Sequence, residues 1–123
     1  MTGNVTGLEV SKRLAKVWPP PKDAMHEGFW YGRDGVAYPT AADLRGAEER
    51  GLIPARSLGE LEAETRRMGL DVVVVLGNSA RRRSAVAFVG PEGDSPAWVG
   101  TGKGENIIDA WGSALAEAKE KLA

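Results

Sequence analysis

Apolar residues at Ile107, Trp111, Ala114, Leu115, Ala118 and Leu122 recur at steps of three and four, while Glu117, Lys119, Glu120 and Lys121 fall mostly between them. That spacing predicts an amphipathic helix from Glu105 to Leu122 whose apolar side needs a sheet to cover. Ahead of it, Pro96 to Val99 reads as a short strand, and Gly100-Thr-Gly-Lys-Gly104 as a glycine-rich turn into the helix. The pattern changes over Asp71-Val-Val-Val-Val-Leu76 and Ser84-Ala-Val-Ala-Phe-Val89, bounded by Gly77-Asn78 and Gly90-Pro91. These β-branched and small apolar runs predict two adjacent antiparallel strands. Both parities are apolar, with Val72, Val74 and Leu76 facing one way and Val73 and Val75 the other. Such a sheet has either helices on both faces or a second molecule on one.

Four helices are expected, enough for the first option. Thr6 and Glu9 have the spacing of a capping box, Val5 and Val10 that of a hydrophobic staple, and Val10, Leu14, Val17 and Trp18 form a stripe that Pro19-Pro20-Pro21 terminates. Thr40 opens a second helix that Gly51 closes, with Pro54 marking a break. Ser57 and Glu60 repeat the capping signature for a third, carrying Leu58, Leu61, Thr65 and Met68 and ending at Gly69. Between the first two, Phe29-Trp30-Tyr31 and Val36-Ala37-Tyr38 flank Gly32-Arg-Asp-Gly35, a hairpin signal. The fold expected is α+β: one domain over 1–123, with a helix, hairpin and helix in 1–56. Over 57–123 a helix–strand–strand–strand–helix core has its small antiparallel sheet inside an α/β/α sandwich.

Composition narrows the chemistry. Without cysteine there are no disulfides, thiol nucleophiles or cysteine-held metals, and a reducing cytoplasmic setting fits. Sixteen basic against 17 acidic residues leave no whole-chain field for nucleic acid or an anionic membrane, and the apolar run 72–76 is too short to span a bilayer.

The order of elements over 57–122 resembles the double-stranded-RNA-binding domain. That family grips phosphates with lysines at the start of its last helix, whereas this chain has Lys103 followed by Glu105 and Asp109. The region 57–123 holds 8 basic and 10 acidic residues, a charge balance that disfavours phosphate binding. The N-terminal amphipathic helix, the step Tyr38-Pro39-Thr40, the sheet and the closing Ile108, Trp111, Ala114, Leu115 pattern look like the small phage and prophage ABA-sandwich proteins. The resemblance implies a phage-associated accessory protein that binds a partner.

Candidate sites are few. His26, the single histidine, stands near Asp23 and Glu27, with no nucleophile placed beside it by a motif. Gly100 to Gly104 lacks the spacing of a Walker loop. Arg81, Arg82 and Arg83 fall on a predicted hairpin tip, either as solvated charges guarding the hairpin or as an anchor for an acidic partner. Trp30 and Lys103 complete the expected partner-binding set, while Trp18, Trp98 and Trp111 are assigned to the core. No catalytic residue, cofactor or metal is expected. The leading expectation is a non-enzymatic protein-binding module, a modulator or inhibitor of a host or defence complex, with self-association also open. The alternative is nucleic-acid binding through Arg81 to Arg83 and Lys103.

Overall fold

The computed structural model describes residues 5–18, 25–32, 35, 37–43, 52–79, 82–91 and 98–122, with backbone alone for 25–29, 37–43, 78–79 and 82–83. Its elements run α1 (Leu8–Val17), β1 (Met25–Tyr31), β2 (Ala37–Asp43), β3 (Ile53–Ala55), α2 (Leu58–Arg67), β4 (Leu70–Ser79), β5 (Arg82–Pro91), β6 (Gly100–Gly104) and α3 (Ile107–Leu122). Two antiparallel sheets form, ordered β2-β1-β3 and β4-β5-β6. The α+β class and the helix–strand–strand–strand–helix order of the C-terminal half are as expected.

The C-terminal sheet rests on α3 through residues too small to hold the two apart. Ala85, Ala87 and Val89 of β5 are buried against Ala110, Ala114, Leu115 and Ala118. A β-carbon on Gly100 would overlap the carbonyl of Ala114, and one on Gly104 would lie 2.9 Å from the Ala110 amide. The glycines are therefore a strand that lets a helix backbone approach, not the turn expected from their composition. On the other side of α3, Gly112 makes room for side chains of α1, its would-be β-carbon standing 2.7 Å from Val10 Cγ1.

α2 joins the same side of the sheet. Its capping box is present, with the Ser57 hydroxyl accepting the Glu60 amide at 3.2 Å, and Gly69 takes the left-handed conformation at φ 70° that ends the helix turn. Leu61 enters the core, and the Thr65 hydroxyl accepts the Trp111 indole N–H at 3.0 Å.

Several expectations are corrected. No Thr6–Glu9 capping box forms: Gly7 is the cap residue of α1, and its amide donates instead to Asp109 Oδ1 at 2.7 Å. Thr6 is buried, its hydroxyl 2.7 Å from Ser11 Oγ and accepting the Arg56 amide at 2.9 Å, so the residue that follows β3 claims the group the helix would have used. Tyr31 donates to the Thr6 carbonyl at 2.8 Å, and burial together with the Asp109 charge raises its hydroxyl above the ordinary tyrosine value. Val5 packs with Tyr31 and Ala55, not with Val10.

The helix expected from Thr40 is a strand through Asp43, because the hairpin around Gly35 continues its pairing from Tyr31↔Ala37 out to Met25↔Asp43; residues 44–51 lie outside the described residues. Helices on both faces of the C-terminal sheet are not found among the described residues, since α1 stacks on α3 and leaves the second face open.

Candidate functional site

Direct pairing places side chains of the C-terminal sheet in rows, since partners on neighbouring antiparallel strands share a face. One row is Val73, Phe88 and Thr101; the next is Val75, Val86 and Lys103; Asp71 stands opposite Gly90 beyond the first. Among the described residues this face has no helix on it. Val73 is 44% and Val75 52% exposed, and Trp98, 38% exposed, lies against Phe88 with ring centroids 5.6 Å apart. On the opposite face Ala85, Ala87 and Val89 are buried. Runs of β-branched residues fold this way because either face of such a strand is apolar, and the glycines of β6 decide which one takes α3.

Both edges of the sheet carry a protective carboxylate. The Val72 amide donates to Asp71 Oδ1 at 2.9 Å on β4, and the Thr101 amide donates to Glu117 Oε2 at 2.9 Å on β6. Glu117 is held below the ordinary carboxylate value by its hydrogen bond from Lys121 and then by the Thr101 amide, so it stays an acceptor. Outward donors satisfied from within the chain discourage addition of a further strand.

A second cluster lies between α1, α2 and α3. The Arg56 guanidinium stacks 3.9 Å from the Trp18 ring centroid, pairs with Glu60 at 2.9 Å and donates to the Trp18 carbonyl at 3.1 Å. The buried carboxylate of Glu64 takes Arg67 on one oxygen and Lys119 Nζ, at 3.1 Å, on the other. Burial pushes the Glu64 carboxyl up, but the two cations outweigh it and its net shift is downward. Trp18, Glu60, Ala63, Glu64 and Arg67 line an open groove of about 330 Å³ beside this network. Both carboxylates are already paired with the chain's own cations, so the cluster joins the helices to one another.

Of the residues expected to bind a partner, Lys103 is exposed on the helix-free face beside Val86. Arg82 and Arg83 belong to β5, opposite Ser79 and Asn78; their side chains, and Arg81 altogether, lie outside the described residues. Trp30 is 1% exposed and is core, packed by Leu52, which corrects its place in a binding surface; its strand lies between β2 and β3. Trp98 moves the other way, from expected core to exposed surface. His26 and Glu27 lie on β1 opposite Ala42 and Ala41, with side chains outside the described residues, as is Asp23. The phosphate-loop segment is strand, and Asn106 Oδ1 accepts the Asp109 amide at 2.9 Å at the start of α3.

Among the described residues no group of three His, Asp or Glu is placed to hold a metal, and no helix is long and apolar enough to cross a membrane. Sequence reasoning missed the pairing of Glu64 with Lys119, and the signal was there: Glu64 follows Leu61 by three on the apolar side of its helix. Comparison with known proteins gives no match to a family model, to a curated protein or to a solved structure.

Proposed function

We propose that this chain is a non-enzymatic protein-binding module whose contact surface is the helix-free face of β4–β6. The observation that supports it is the grouping of exposed Val73, Val75 and Trp98 around Phe88 and Val86 on one side of a sheet. A continuous apolar patch with an aromatic centre and a polar rim of Asp71, Thr101 and Lys103 has the make-up of a recognition surface. The likeness to small phage proteins favours an accessory or inhibitory role, in which the module occupies a surface on a host or defence complex.

Affinity capture from a lysate of the source organism, with mass spectrometry, tests the reading. The wild-type chain is expected to retain one specific protein, and Val75→Lys to lose it with an unchanged melting temperature. Retention of the same protein by both chains, or of none by either, would remove this face from the proposal.

A further inference from the structure

We infer that the helix-free face of β4–β6 is self-complementary, so that a second copy of this chain covers it face to face in a two-fold dimer. The inference uses the same face as the proposed function but not that reading's partner. Edge pairing is the other route to a sheet dimer, and the carboxylates of Asp71 and Glu117 each already take one outward amide, on β4 and β6 respectively. The face has no such guard.

The charges at the rim of the face are arranged for a copy of itself. Asp71 stands on one outer strand opposite Gly90; Lys103 stands on the other outer strand in the row of Val75 and Val86; Phe88 lies on the middle strand in the row between. Strand spacing and rise put Phe88 midway between the two charges, about 8 Å from each at the backbone. Neither charge has an ion-pair partner among the described residues, and only one oxygen of Asp71 is engaged, by the Val72 amide.

A two-fold axis lying in the interface, perpendicular to the Asp71–Lys103 line and passing over Phe88, sets Asp71 of each copy opposite Lys103 of the other. It also sets Phe88 against its own copy. One patch then supplies both halves of an isologous contact, with two ion pairs flanking a centre of Val73, Val75, Val86, Phe88 and Trp98. Three strands of this length offer on the order of 400 Å² per copy, about half of what a standard stable interface uses on each side. The dimer is accordingly weak, concentration-dependent and salt-sensitive.

Sedimentation equilibrium of the full chain tests this. At low salt and up to about 1 mM the wild type is expected to approach dimer mass, and to dissociate as salt is raised. Asp71→Lys and Lys103→Asp each replace both attractions by repulsions at exposed positions, and each is expected to weaken self-association roughly tenfold. An equimolar mixture of the two variants restores opposite charge at every junction, so it is expected to associate as the wild type does.

A wild type that stays monomeric, single variants that dimerise undiminished, or a mixture that fails to associate would each overturn the inference. If the wild type is monomeric while Val75→Lys loses a captured protein, the face belongs to that partner: the inference falls and the functional reading stands. Dimerisation that follows the charge pattern, with no partner captured, gives the reverse.

Discussion

Gly102 lies directly beneath Ala110: a β-carbon on this glycine would overlap the Ala110 carbonyl oxygen and come within 2.7 Å of the Ser113 β-carbon. The obstacle is helix backbone, which cannot rotate away as a side-chain tip can. Gly102→Ala is therefore expected to push α3 off β6 and to cost about 3 kcal/mol, the upper range for overpacking. Gly69→Ala is the control, since Gly69 has a left-handed φ of 70° with nothing within 4 Å and should lose about 1 kcal/mol from backbone strain alone. Urea denaturation of the two variants, read as midpoints at constant slope, checks the difference.

Thr65 links the two helices on the covered side of the sheet. Its hydroxyl donates to the Leu61 carbonyl at 2.7 Å and accepts the Trp111 indole N–H at 3.0 Å in a buried setting. Thr65→Val keeps the shape and leaves the indole N–H without an acceptor, at an expected cost of about 2 kcal/mol. Thr65→Ser keeps the acceptor and is expected to lose less than half of that. Equal losses in the two variants, by thermal or urea unfolding, would show that packing of the methyl and not the hydrogen bond governs the site.

Glu64 contributes to the pH dependence of stability. Burial raises its carboxyl, Arg67 and Lys119 lower it further than burial raises it, and the folded value lies below the unfolded one. Between the two values the unfolded chain binds more protons, so stability rises with pH there. The contribution is fully present above the unfolded value of about 4.3 and is lost as pH falls through the lower folded value. Glu64→Gln should flatten that acid limb. It should also cost about 3 kcal/mol at neutral pH by leaving Lys119, its ammonium largely buried, without its carboxylate. Melting temperatures of both chains between pH 2 and pH 7 measure both effects.

The elements legible in the sequence are those where one periodicity dominates. Val72 to Leu76 and Ala85 to Val89 are too β-branched and too short for helices, and Ile107 to Leu122 repeats its apolar positions for four turns. Thr40 to Asp43 misled because a threonine with an acid three residues on is also a helix start, and only pairing with Met25 to Gly28, distant in sequence, decides for a strand. Pro54 has the look of a break and is instead part of β3, opposite Trp30 on an edge strand where a missing N–H is tolerated. The pattern of the strands allows helices on both faces or one face left bare, and does not choose between them. Valines that will be covered by a helix and valines that will stay bare have the same pattern, and the outcome depends on α1 choosing Gly112 of α3 over the second face. For the same reason Trp30 and Trp98 exchanged places, since an aromatic beside a loop reads alike in core and on surface.

The contrast between the two faces gives a direct stability test. Val75 projects from the helix-free face, so at low micromolar concentration, below any weak self-association, Val75→Thr removes little buried area and should change stability by less than about 0.5 kcal/mol. Ala87 is fully buried on the other face, in the cluster it forms with the residues of α3, and has no room for added methylenes. Ala87→Leu is therefore expected to cost about 3 kcal/mol or more. A large loss from Val75→Thr, with Ala87→Leu tolerated, would mean that α3 covers the opposite parity of the strands from the one described, and Val73, Phe88 and Trp98 would then be core and unable to meet a partner.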